Sequence, residues 1–280
     1  MTDVRINTTE FDFVRDLIRR RSAIVLDPGK EYLVETRLLP LARAAGDKNV
    51  SRFVARLRSA STPQMLTSVV EALTTNETSW FRDRHPFDVL RDHVLPEILA
   101  RPRPSRRINV WSAACSSGQE PYSIAMVLAD ALAAHPGWSA QILATDLSNE
   151  ILTQARSARY SQLEVNRGLP AALMVRHFKR TGTHWGLREP IRKMVSFREL
   201  NLAVPLPTMT PVDIVFLRNV LIYFDADMKR KVLAQVRRVL RPDGYLFLGG
   251  AETTLHLDNE FERAPLGATS VYRLRNRKAA

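Results

Sequence analysis

Only one cysteine, Cys115, occurs in the 280 residues. That excludes a disulfide framework and any zinc or iron–sulfur site built from several cysteines. The six histidines stand at no ligand spacing, so no metal is expected. No window approaches the roughly 20 apolar residues of a membrane span, so no membrane insertion is expected. The N-terminus, Met1-Thr2-Asp3-Val4-Arg5, is polar and runs on to Glu10 and Asp12, without the apolar core of a signal peptide. A cytoplasmic protein is the expectation. Acidic residues are scarce beside basic ones, 29 against 41, which leaves a net charge of +12. Such a balance favours an acidic partner. The excess is spread along the chain: +3 over residues 1–75, +5 over 76–200 and +4 over 201–280. A nucleic-acid-binding arm would concentrate it in one block.

What is present is ordinary globular material, 45% hydrophobic and 25% charged, long enough for one large or two modest domains. The first 75 residues carry apolar positions at helical spacing throughout. Thr9 is the expected cap of a helix containing Val14, Leu17 and Ile18, broken by Asp27-Pro28-Gly29. A second helix is expected over about 30–45, with Pro40 inside it as a potential kink. A third begins near Ser51, and Pro63 opens a fourth. A helix over 87–99 follows, then Arg101-Pro102-Arg103-Pro104-Ser105-Arg106-Arg107, a stiff basic connector. The expected division is 1–85 all-helical, 86–107 connecting helix and linker, and 108–280 a second domain.

In that second domain short apolar strands (108–111, 141–146, 211–217, 245–248) alternate with helices (121–134, 149–158, 228–240), and Arg241-Pro242-Asp243-Gly244 forms a turn. Strands and helices in this order imply a doubly wound α/β sheet with parallel strands. Ligands of such sheets bind beyond the carboxyl ends of the strands. Three features gather there. The small-residue loop Ala113-Ala114-Cys115-Ser116-Ser117-Gly118 leads into a helix, but with one glycine it is no dinucleotide fingerprint, and no basic residue stands ready for a triphosphate. Asp146 ends the second strand, where it can accept from ribose hydroxyls or cap the next helix, a task open to Ser148 as well. Arg218-Asn219 directly follows an apolar strand, where burial without a partner would be costly. A nucleoside ligand without a phosphate grip suggests S-adenosylmethionine.

Six segments then resemble, in order and spacing, the chemotaxis receptor methyltransferases, the CheR family. They are Asn76-Glu77-Thr78-Ser79-Trp80-Phe81-Arg82-Asp83, residues 111–125, Ala144-Thr145-Asp146-Leu147-Ser148, Asn201-Leu202, Arg218–Phe224 and Leu240–Tyr245. The resemblance covers about residues 8–272. It implies a Rossmann-like S-adenosylmethionine-dependent methyltransferase sheet preceded by a small all-helical domain, with a small β-hairpin subdomain inserted at about 178–198.

It further implies transfer of methyl from S-adenosylmethionine to glutamate side chains of chemoreceptors, leaving S-adenosylhomocysteine. Matched position by position, the donor-binding set is Asn76, Thr78, Arg82, Glu120, Asp146, Asn201, Leu202, Arg218 and Asn219. Arg82 and Tyr223 match the residues placed near the reacting methyl. Lys30, Arg37 and Arg43 of the second helix match basic residues presented to an acidic receptor helix; a solvated helix face is the alternative. Some relatives grip a C-terminal receptor tether with the hairpin subdomain. Here that segment is short and contains Pro190, which cannot donate to a β ladder, so no dependence on a tether is expected.

Two rivals stand beside this. A nucleic-acid methyltransferase would use the same fold, but Arg218-Asn219-Val220-Leu221 stands where amine-methylating enzymes carry an Asp/Asn-Pro-Pro-Tyr/Phe box. Cys115 also lacks the preceding proline of a cytosine C5 nucleophile. The other rival is a non-catalytic donor-binding signalling module.

Overall fold

A computed structural model describes residues 6–103, 105–266 and 269–275. Met1–Arg5, Pro104 of the connector, Gly267, Ala268 and the residues beyond Arg275 lie outside the described residues. The chain divides into two compact units. One holds the helices up to Thr75 together with Asn201–Ala203 and Tyr223–Met228; the other holds the rest.

Among the described residues up to Thr75 the first unit has the helices α1 (Thr8–Ser22), α2 (Glu31–Ala44), α3 (Val50–Ala60) and α4 (Pro63–Leu73). The cap of α1 is Asn7, not Thr9. Its side chain accepts from the Glu10 N–H at 2.9 Å, and Glu10 accepts from the Asn7 N–H at 3.0 Å, a reciprocal capping box. Asn49 and Thr62 cap α3 and α4 by accepting the Arg52 and Met65 N–H groups, without the reciprocal bond, and Pro63 stands in the first turn of α4. The helical periodicity is explained by what it buries: Val14, Ile18, Val34, Leu38, Val54 and Val69 are all inaccessible. The α2 helix runs through Pro40, which faces outward.

In the second unit, α5 (His85–Val89) continues through a π turn, Leu90–Val94, into α6 (Leu95–Ala100). Pro96 has no N–H for the i→i−4 ladder, and the wide turn directly precedes it. This stretch is not a connector. Phe87, Leu90, Val94, Leu95 and Ile98 sit in the same core as Ile108, Ile214 and Phe247 of the sheet.

Nor is 101–107 a free linker. Arg101 donates to the Asp243 carboxylate at 2.7 Å and Arg103 donates to it at 3.0 Å. Burial alone would raise the Asp243 pKa, but the two guanidinium groups hold it below the ordinary carboxylate range. Arg103 also pairs with the wholly buried Asp213, which accepts the Asn109 N–H at 2.8 Å.

The main sheet contains β1 (Arg107–Ala113), β2 (Ser139–Asp146), β6 (Val195–Glu199), β7 (Val212–Leu217), β8 (Leu240–Leu248), β9 (Phe261–Arg263) and β10 (Val271–Leu274). Its order is β6-β2-β1-β7-β8-β10-β9. The first five strands are parallel, as expected from their alternation with α7 (Gln119–Leu132), α8 (Asn149–Ser157) and α12 (Ala226–Val239). The antiparallel pair β10 and β9, too short to stand out in sequence, closes the far edge. The expected turn at Arg241–Gly244 is an irregularity within β8: Val212 pairs with Leu240 and Ile214 with Tyr245, so four residues loop out against one.

The inserted subdomain is a separate three-stranded sheet of β3 (Arg159–Ser161), β5 (His184–Leu187) and β4 (Phe178–Thr181), with α9 (Gln162–Asn166) and α10 (Ala171–His177) between β3 and β4. The expected span, 178–198, is corrected at both ends. The sheet recruits Arg159–Ser161, while Val195–Glu199 pairs in parallel with β2 in the main sheet. Pro190 opens a short helix, α11 (Glu189–Arg192), and lies outside any ladder. The proline therefore says nothing about whether the hairpin can accept a strand.

Gly168 carries a φ of +96°, and a Cβ there would fall 2.2 Å from the Trp80 carbonyl oxygen. Gly168→Ala is expected to destabilise by about 1–3 kcal/mol from backbone strain alone, before the clash is counted, read as a lower urea midpoint.

Candidate functional site

The carboxyl ends of β1, β2, β7 and β8 carry the chemistry-bearing loops of the second unit. After β1 the chain reverses within five residues, which takes three left-handed positions: Ala114 (φ 56°), Ser116 (φ 50°) and Gly118 (φ 93°). Gly118 is required twice over, because an added Cβ would meet the Tyr160 hydroxyl and Ala155 Cβ at 3.1 Å. The Tyr160 hydroxyl donates to the Ser117 carbonyl at 2.9 Å and fixes the loop. Cys115 is buried inside it. Burial, followed by the charges of Asp146 and Glu120, pushes its thiol pKa well above the ordinary value. A thiol reagent such as DTNB is expected to leave Cys115 unmodified until the protein is unfolded, since the thiolate is the reactive form.

Asp146 ends β2 and is nearly inaccessible. Its carboxylate accepts the Ser116 N–H at 2.8 Å and the Ser148 N–H at 3.1 Å. Ser148, not Asp146, caps α8. These backbone donors aim the carboxylate at the end of the strand.

Glu120, in the first turn of α7, accepts from the Ser112 hydroxyl at 2.8 Å and from Arg218 at 3.0 Å. Burial raises its pKa, and Arg218 works against that.

Arg218 follows β7 and its side chain is 1% exposed. The polar ligand anticipated for it is replaced by protein: besides Glu120 it donates to Asp83 at 2.6 Å and to the Arg82 carbonyl at 3.0 Å. Arg218 therefore braces the segment Asn76–Asp83.

That segment is strained. Phe81, Asp83 and Arg84 all have φ between 46° and 67°. The strain persists because surrounding contacts over-determine the segment. Trp80 is buried edge-on against Tyr160 and Phe178, with centroids at 4.8 and 5.3 Å. The Trp80 N–H donates to the Arg167 carbonyl, and the Phe81 N–H to the Ser123 hydroxyl. The Asn76 carbonyl accepts from the Ser116 hydroxyl at 2.8 Å, tying this segment to the β1 loop. Thr78 is half-buried. Arg82 donates once, to the Glu77 carbonyl at 3.1 Å; its other guanidinium N–H groups meet no partner among the described residues.

One organising residue was missed. Glu252, after β8, accepts the N–H groups of Asn219, Val220, Leu221 and Gly249 at 2.7–2.9 Å. Glu252 stands four residues past the strand end at Leu248, whereas Asp146 is the last residue of its own strand, so the strand-end signal that singled out Asp146 is weaker here.

The remaining expected residues belong to the helical unit. The Asn201 side chain donates to the Arg21 carbonyl at 2.7 Å and accepts from the Ala203 N–H. Leu202 is buried, and the Tyr223 carbonyl accepts from the Val25 N–H. Of the basic trio on α2, Arg37 is already engaged. It donates to the Leu73 and Thr74 carbonyls at 3.0 and 2.6 Å, filling the open C-terminus of α4. Lys30 is half-buried at the start of α2 and Arg43 is exposed near its end. Arg43 lies six residues from Arg37, about 120° round the helix, so the three do not form one stripe.

This donor set suits S-adenosylmethionine. Asp146 is pre-aimed for hydroxyls, the local excess is acidic, as a ligand bearing a sulfonium and an ammonium requires, and the nearby cation Arg218 is ion-paired with Glu120 and Asp83, its buried Nε–H having no partner among the described residues. Fold and site together define an S-adenosylmethionine-dependent methyltransferase. The "CheR methyltransferase, SAM binding domain" description matches residues 76–269, and the "CheR methyltransferase, all-alpha domain" matches 9–74. The chain belongs to the CheR methyltransferase family. It is 39% identical to "Chemotaxis protein methyltransferase Cher2" of Pseudomonas putida, over 94% of this chain and 97% of that protein. It is 37% identical to the "Chemotaxis protein methyltransferase" of Escherichia coli, over 96% and 92%.

Proposed function

We propose that this protein transfers the methyl group of S-adenosylmethionine to glutamate carboxylates on the cytoplasmic methylation helices of chemoreceptors, as part of chemotactic adaptation. The supporting observation is Arg82: a guanidinium with unengaged donors on a strained, heavily braced segment of the donor-binding unit. When bound, S-adenosylmethionine supplies a methyl group already activated by its sulfonium. A glutamate with a pKa near 4.3 is more than ~99% ionised at neutral pH, so the protein needs no general base. The work left to the chain is alignment. Arg82 orients the incoming carboxylate by charge-assisted hydrogen bonds. Asp146 takes the ribose hydroxyls, and Glu120, Asn76, Thr78 and Asn219 complete the grip on the donor. Asn201, Leu202 and Tyr223 join the proposed set on the family resemblance alone, with Tyr223 assigned to the methyl. Lys30 and Arg43 remain the candidates for receptor contact.

Purified protein with tritiated donor and receptor-containing membranes is expected to place base-labile label on receptor glutamates. Tight donor binding without label would indicate a signalling module instead, and label on nucleic acid would indicate the other rival. The four-residue strands β4 and β5 support tether independence: a receptor lacking its C-terminal residues is expected to be methylated as fast as the full-length one. A large loss with the truncated receptor would reverse that proposal. Among the described residues no helix is long and apolar enough to cross a membrane.

A further inference from the structure

We propose that Glu252 is a positioning residue for donor binding: it holds the loop carrying Asn219 in its working conformation. Its buried carboxylate gathers four backbone N–H groups from two strand ends. Oε2 takes Asn219 at 2.8 Å and Gly249 at 2.7 Å, whereas Oε1 takes Val220 at 2.9 Å and Leu221 at 2.7 Å. Three consecutive N–H groups can converge on one acceptor group only if the chain turns sharply. Asn219 provides that turn at a φ of +57°, a conformation that an asparagine pays to adopt. Gly249 leaves room for it. A Cβ there would lie 2.7 Å from Glu252 Oε2, 2.9 Å from Asn219 Nδ2 and 3.0 Å from the Asn219 nitrogen. The same strand, β7, is held at its other end by a second buried carboxylate, Asp213, which accepts from Asn109 and pairs with Arg103 and Arg241. One strand thus carries an acid latch at each end, and only the Glu252 latch touches the ligand-side loop. This inference rests on the donor-binding reading of Asn219.

The test uses the full chain, with S-adenosylhomocysteine binding by calorimetry and initial methylation rates against receptor membranes. Glu252→Gln leaves one acceptor oxygen for four donors and strands at least one buried N–H. Its Kd for S-adenosylhomocysteine is expected to rise about tenfold or more, with the donor KM moving in parallel and the receptor KM unchanged. Gly249→Ala, which keeps the charge, is expected to do the same. Glu252→Asp, which keeps the charge on a shorter arm, is expected to fall between. Asp213→Asn is the control: a lower Tm with an unchanged Kd. Wild-type affinity in both Glu252→Gln and Gly249→Ala would overturn the proposal. So would an equal loss of affinity in Asp213→Asn, which would reduce Glu252 to general stability. Asp146→Asn separates the two levels. If it too binds normally, the donor-binding reading fails and this inference falls with it; if it alone loses affinity, the reading stands and only the Glu252 proposal fails.

Discussion

Replacing Arg82 with alanine is expected to lower kcat for receptor methylation by about two to three orders of magnitude. The Kd for S-adenosylhomocysteine should change by no more than a few-fold. The asymmetry follows from what the guanidinium already does. Its one hydrogen bond among the described residues is to the Glu77 carbonyl, within its own turn, so removing it orphans no charge and empties no core. The brace from Arg218 reaches the Arg82 carbonyl, which alanine keeps. The lost function is therefore orientation of an anionic acceptor that is fully ionised and needs only aligning. Arg82→Lys keeps the charge but not the planar fork, and is expected to recover a minor part of the rate. Equal losses of donor affinity and rate in Arg82→Ala would reassign the residue to holding the donor. A lowered Tm is not expected, because the side chain is partly solvated.

The sheet, its parallel core and the acid at the end of β2 were legible because each is written in contiguous residues: an apolar run, then a small or acidic residue, then a helix start. The helical unit was legible for the same reason. What escaped depends on partners far away along the chain. Glu252 meets residues 31 to 33 positions earlier, and nothing local marks it as an acceptor for another strand's loop. Arg37 looked like a surface cation because the α4 carbonyls it satisfies lie 36 and 37 residues on. Residues 101–103 read as a linker, since Arg-Pro repeats are stiff and solvated by default, yet Asp243 and Asp213 turn them into a strap. The strand β6 falls within the expected hairpin span, and β3 carries no expectation at all, for a related reason. Val195–Glu199 and Arg159–Ser161 are too short for periodicity to decide, and only their pairing with β2 and β5 does. Arg218, directly after an apolar strand, points by its local sequence to a polar ligand or a turn-capping role and not to distant protein partners. The partners, Asp83 and Glu120, are 135 and 98 residues away.

That brace supports the other large effect. Arg218→Met keeps the volume of the side chain and removes its charge, leaving Glu120 desolvated without its cation. Breaking one side of such a buried pair costs about 3–5 kcal/mol, and the pair is buried on the arginine side to 1% exposure. The penalty is expected to depend on pH. Burial already raises the Glu120 pKa in the folded state, and loss of Arg218, which opposes that shift, raises it further. A carboxyl with a folded-state pKa above its unfolded value binds more protons when folded, in the window between the two. Stability therefore falls as pH rises through that window and is lowest above the folded pKa. Urea unfolding of Arg218→Met should show a smaller deficit at acid pH than at pH 8, relative to wild type at the same pH. Adding Glu120→Gln should recover much of the loss at pH 8 and flatten the difference, since the amide carries no charge to desolvate. Activity should not return with stability in that double variant. Asp83 and the Arg82 carbonyl would still lack the donor that holds the Asn76–Asp83 turn against its strain, so donor binding and transfer are both expected to stay low.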